Sequence, residues 1–116
     1  MVYETILEGL SKYDTVTHII LSSDGVRSIY NDLNRLLSLI AEYEYFYVVV
    51  FHNDKFHVHL LVKDCPFRTA WFDSTWHRIH GCIARHVSVD SVVDTAVYLA
   101  TNEDYIDFVD CSGGWC

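Results

Sequence analysis

The chain is poor in most of the features that would place it in a special class. One proline and five glycines in 116 residues are too few for collagen-like, linker or low-complexity sequence. No apolar run approaches the roughly 18 residues of a membrane span, so no membrane partner is expected. MVYETILEGL at the N-terminus is acidic where a secretory signal would be basic, and a cytoplasmic protein is the expectation. The four cysteines, Cys65, Cys82, Cys111 and Cys116, form no CxxC. Cys111-x4-Cys116 without a second pair is a weak zinc signal. Reduced thiols, or one bridge tying down the Gly-Gly tail, are expected instead.

Positive charge is scarce as well. The net charge of −8 speaks against indiscriminate binding of polyanions, but its distribution says more than its sum. Five of the eight basic residues, Lys55, Lys63, Arg68, Arg78 and Arg85, fall in one window that holds only Asp64 and Asp73 as acids. Beyond Arg85 there is no Lys or Arg, while Asp90, Asp94, Glu103, Asp104, Asp107 and Asp110 accumulate. The middle of the chain can face phosphate, and the ends cannot.

What is present is apolar and aromatic residues, 51% and 15% of the chain, enough for a single core and one domain over residues 1–116. Val2, Ile6, Leu7 and Leu10 have helical spacing. TVTHIILSS (15–23) reads as a strand ended by Ser-Asp-Gly. Ile29, Leu33, Leu36, Leu37 and Ile40 repeat at three and four, predicting an amphipathic helix within 26–43. YEYFYVVVF (43–51) and FHVHLLV (56–62) read as strands, and the short His52-Asn53-Asp54-Lys55 link makes them an antiparallel hairpin. Residues 65–77 read as a loop with a short helix. HRIHGCIARHV (77–87) reads as one or two strands broken at Gly81. Ser88 or Asp90 caps a further helix, VDSVVDTAVYLATNE. The end of the chain is a strand or extended arm, with an acidic flexible tail over residues 105–116. An antiparallel sheet with helices packed on it is an α+β fold of the split βαβ, ferredoxin-like kind.

FHVHLLV carries the chemistry. Residues two apart on a strand share a face, so His57 and His59 point the same way, spaced for one divalent ion. If His52 pairs with Lys55, Val50 opposes His57, Val48 opposes His59, and His52 lies diagonal to His57 on the same face. His52 is then one candidate third ligand; Glu44 on that strand face and Asp94 on the later helix are the others. The bland alternative is a pair of histidines satisfied by a local polar cluster.

Three blocks in fixed order, Ile19-Ile20-Leu21-Ser22-Ser23, His57-Val58-His59-Leu60-Leu61-Val62 and Val97-Tyr98-Leu99-Ala100-Thr101, resemble the motifs of the HUH endonucleases. These are the Rep-type initiators of rolling-circle replication and the related single-tyrosine transposases. In size the chain looks most like the compact Reps of archaeal viruses and plasmids, which would make the host cytoplasm its place. Thr101 stands where the third motif has lysine, and His52 stands in for a glutamate that many Reps carry before the histidines. The resemblance implies Tyr98 as the nucleophile, a Mg²⁺ or Mn²⁺ on His57, His59 and a third ligand, and a 5′-phosphotyrosine intermediate. It implies single-stranded DNA at an origin or genome end as substrate.

A tyrosine hydroxyl, with its pKa near 10, is a poor nucleophile unless its proton is taken or the phosphorus is made more electrophilic. Asp94 and Thr95 lie one helical turn before Tyr98, and Asp94 could accept that proton. The bland reading of Tyr98 is a core ring with its hydroxyl at the edge. Lys55, Lys63, Arg68, Arg78 and Arg85 are the candidate phosphate contacts. Trp71, Phe72 and Trp76 serve either base stacking or the core. His18, His77, His80 and His86 receive no role. A homodimer is expected, since a second subunit would lengthen the DNA-contact surface of an acidic protein. A transposase of the same superfamily and a non-catalytic ferredoxin-like binding module are the competing readings.

Overall fold

The computed structural model describes residues 16–24, 28–87, 97, 101 and 103–112. Its elements are β1 (Val16–Ser22), α1 (Ile29–Leu39), β2 (Tyr45–His52), β3 (Lys55–Lys63), α2 (Thr69–His80), β4 (Ala84–Val87) and β5 (Ile106–Cys111), the last preceded by a 3-10 turn at Glu103–Tyr105. The strands form one sheet in the order β4-β1-β3-β2-β5, with every pairing antiparallel. β1 and β2 therefore run parallel with β3 between them, and β3 and β4 run parallel with β1 between them. This is the split βαβ arrangement expected from the sequence, extended by β5 at the β2 edge. No helix among the described residues is long and apolar enough to cross a membrane.

Each helix forms for a local reason. Ser28 caps α1, its Oγ accepting from the Asn31 N–H, and Ile29, Leu33, Leu36 and Leu37 then fall on one buried stripe. α2 corrects the expectation of strand from residue 77. Phe72, Thr75, Trp76 and Ile79 are buried at helical spacing, and the helix continues to His80. It stops at Gly81, whose φ of 81° puts it in the left-handed region while its N–H bonds to the His77 carbonyl. Only Ala84–Val87 of that stretch is strand. Both helices pack on one face of the sheet, where Ile19, Leu21, Val49, Val58, Leu60 and Val62 meet Leu33, Leu36, Phe72 and Trp76. Phe72 and Trp76 are thus core residues, and the half-buried Trp71 stacks on Phe67 with ring centroids 4.2 Å apart.

The hairpin register is the expected one: His52 opposite Lys55, Val50 opposite His57 and Val48 opposite His59. Asn53 and Asp54 take φ of 54° and 62°, the pair of positive values that a two-residue type I′ turn requires. β5 takes residues 106–111 out of the expected flexible tail. Phe108 lies opposite Val49 and packs edge-on to Tyr30, while the Tyr30 hydroxyl donates to Asp107. Apolar and aromatic contacts of this kind hold an acidic strand that charge alone would leave loose. Cys111, at the end of β5, is in a disulfide, and Cys65 and Cys82 are free thiols. The expected helices at 1–13 and 89–103 lie outside the described residues, apart from the helical Val97, the Thr101 N–H that donates to its carbonyl, and Glu103 in the 3-10 turn.

Candidate metal and nucleic-acid site

The pleat sorts the sheet into two sets of side chains. Away from the helices, one row reads Arg85, Ile20, His59, Val48 and Val109 across β4, β1, β3, β2 and β5. The next reads Ser22, His57, Val50 and Ile106, and the one on the other side reads Val87, His18, Leu61, Phe46 and Cys111. His18, His57, His59 and Arg85 therefore share a face, the histidines on the inner strands β1 and β3 and Arg85 on the edge strand β4.

His59 is buried at 1% exposure and His18 at 0%. Nδ1 of His59 lies 3.1 Å from Nε2 of His18, a hydrogen bond in which one ring donates and the other accepts. His57 stands beside them, its ring centroid 5.0 Å from that of His59. Burial pushes the pKa of His59 down to about 3, helped by the charges of His18, His57 and Arg85. His18 falls to about 4, through burial first and then His86 and Arg85. His57 is also lowered, by burial, His52 and Arg85 in that order. All three rings are held in the neutral form, the one that binds a metal ion. The bond from His18 to His59 Nδ1 orients the ring as a hydrogen-bond partner does behind a metal-bound imidazole, and a metal would have to bind at Nε2. His57 and His59 offer a pair of imidazole donors, and among the described residues no third His, Cys, Asp or Glu joins them in a group whose ligand atoms lie within 4.8 Å of one another.

The other expected site residues divide. His52 is exposed at the hairpin end, on the same face as His57, with its ring against Tyr105 at a centroid distance of 4.0 Å. Glu44 pairs with Lys63 at 3.9 Å. It stands four residues from Val48, the partner of His59, or roughly 13 Å along the strand, so the fold does not bring it to the histidines. Asp94 and Tyr98 lie outside the described residues. Of the five basic residues, Arg85, Lys55 and Lys63 share the histidine face by register. Arg68 and Arg78 lie at the start and on the exposed side of α2, away from it. Arg85 is the one among the five whose charge reaches the buried His18 and His59 and the half-buried His57.

Two features escaped sequence reasoning. His18 has no motif of its own; only the pairing of Ile20 with His59 places it beside the ligand pair. The second is a buried cluster at the end of β1. His80 is 1% exposed, with Nδ1 2.7 Å from Asp32 Oδ2, Nε2 2.7 Å from Ser23 Oγ, and its ring stacked on Trp76. Asp24, His80 and Cys82 each bring one ligand atom within 4.8 Å of the others, so a group able to hold a metal ion exists here too. No known protein family, no curated protein and no solved structure matches the chain.

Proposed function

We propose that the chain is a metal-dependent endonuclease that nicks and rejoins single-stranded DNA, acting at a replication origin or genome end. The observation that supports this best is the His57–His59 pair on one face of β3, with His59 held by His18. Mn²⁺ or Mg²⁺ bound there would draw charge from a non-bridging phosphate oxygen, and imidazole donors favour Mn²⁺ over the oxygen-seeking Mg²⁺. Arg85, two strands from His59 on the same face, would hold the phosphodiester near these rings. In the reaction the Tyr98 oxygen bonds to phosphorus, the bond to the 3′-oxygen breaks, and that oxygen leaves as a hydroxyl. The product is a 5′-phosphotyrosine, and attack by a 3′-hydroxyl reverses the step and joins strands. The third ligand in this reading is His52, which the hairpin register sets diagonal to His57.

The test is incubation with single-stranded oligonucleotides from the neighbouring genome, with and without Mn²⁺. A protein–DNA adduct that resists denaturation is expected, and it should disappear in Tyr98→Phe and in His57→Ala. Cleavage that survives Tyr98→Phe refutes the assignment of the nucleophile. Binding without any cleavage points to the non-catalytic module, and preference for transposon-end hairpins to the transposase.

A further inference from the structure

We propose that Asp24, His80 and Cys82 form a second metal centre, and that it takes Zn²⁺. The three come from separate places: just past β1, the last residue of α2, and the turn after it. Their ligand atoms nevertheless lie within 4.8 Å of one another. Gly81 is what permits this. Its φ of 81° reverses the chain directly after the helix, so that His80 and Cys82 serve one site across a single intervening residue. The hydroxyl and N–H of Ser22 both bond to the Ile83 carbonyl, at 2.7 and 3.1 Å, which pins the end of β1, next to Asp24, against the turn that carries Cys82.

An independent feature supports the same assignment. Asp32 on α1 accepts from His80 Nδ1 at 2.7 Å, and a carboxylate can only accept, so the proton sits on Nδ1 and Nε2 is left as the basic nitrogen. Metal-bound histidines are oriented in this way by a carboxylate behind the ring. The stacked Trp76, 4.6 Å away between centroids, fixes the ring plane. Nε2 is now against Ser23 Oγ, and the ion would take the place of that hydrogen bond. Cys82 is a free, half-buried thiol, which gives up its proton on binding. Nitrogen, sulfur and carboxylate oxygen together select Zn²⁺ over Mg²⁺ or Mn²⁺, so the centre differs in chemistry from the all-imidazole site on β3. Three protein ligands leave a fourth position for water or the Ser23 hydroxyl.

Titration of the intact, metal-free chain with Co²⁺ under anaerobic conditions tests this. A sulfur-to-cobalt charge-transfer band should saturate at one equivalent and be bleached by Zn²⁺. It should be lost in Cys82→Ser, remain in the His57→Ala/His59→Ala double variant, and need at least about tenfold more Co²⁺ in the exposed-site variant Asp24→Asn. Absence of the band in the wild-type chain overturns the proposal, as does its persistence in Cys82→Ser or its loss in the β3 double variant. Because the readout is spectroscopic and excludes the β3 histidines, it stands or falls apart from DNA cleavage.

Discussion

Two buried histidine sites lie on opposite sides of the same sheet, and they solve the burial of an imidazole differently. On the strand face, His59 leans on His18, another imidazole, with Arg85 as the nearby charge. On the helix side, His80 leans on a carboxylate and a hydroxyl. A carboxylate fixes which ring nitrogen carries the proton; a second imidazole does not, and each ring opposes a charge on the other. The first arrangement keeps its rings neutral and available to a ligand. The second locks one ring between three elements, α1, α2 and the end of β1.

The largest expected effect of a single substitution comes from breaking the lock. Asp32→Ala leaves the buried His80 Nδ1–H without its acceptor, and urea unfolding should show a loss of about 2–3 kcal/mol. A smaller loss is expected on the strand face. His18→Leu should cost about 1–2 kcal/mol by removing the partner of His59 Nδ1, and should weaken Mn²⁺ binding about 10–100-fold in calorimetry. Replacing both rings, His18→Leu with His59→Leu, should restore most of that stability, because two apolar side chains ask for no hydrogen bond. A double variant as unstable as the single one would show that the pair is not the unit.

Acid should give the most gradual change, and it should come from the strand face. The folded pKa values of His18 and His59, about 4 and about 3, lie below the ordinary 6.5. At pH above 6.5 both folded and unfolded chains carry neutral rings, and the contribution is complete. As pH falls below 6.5 the unfolded chain takes up protons that the folded chain refuses, so stability declines until the folded rings themselves protonate near pH 3 to 4. Thermal melts of the metal-free protein between pH 7 and 4 should fall with acid, and the double leucine variant should flatten that slope.

What the sequence made legible was local. α1 was readable from Ile29, Leu33, Leu36, Leu37 and Ile40 at helical spacing. The hairpin register followed from a two-residue turn, since loop length and parity leave no freedom for His52, Val50 and His57. α2 was misread because HRIHGCIARHV alternates like a strand, and burial of Trp76 and Ile79 against α1 decides for helix. The site was half legible for the same reason. His57 and His59 announce themselves within three residues, whereas His18 reaches His59 across 41 positions and His80 reaches Asp32 across 48. No spacing rule spans those gaps; the strand order closes the first, and the packing of α1 against α2 closes the second.

That split between near and far partners also sets an order in time. The turn at Asn53 and Asp54 closes almost no loop, and hairpins of this kind form on the order of microseconds. The two imidazoles of β3 are therefore aligned by the chain's own local geometry. Their supporting ring arrives with β1, after a far longer stretch of chain has been drawn in, a step that topology makes slow. During that interval the His57–His59 pair exists without its orienting neighbour, so the spacing of the two rings is set before the surroundings that keep them neutral.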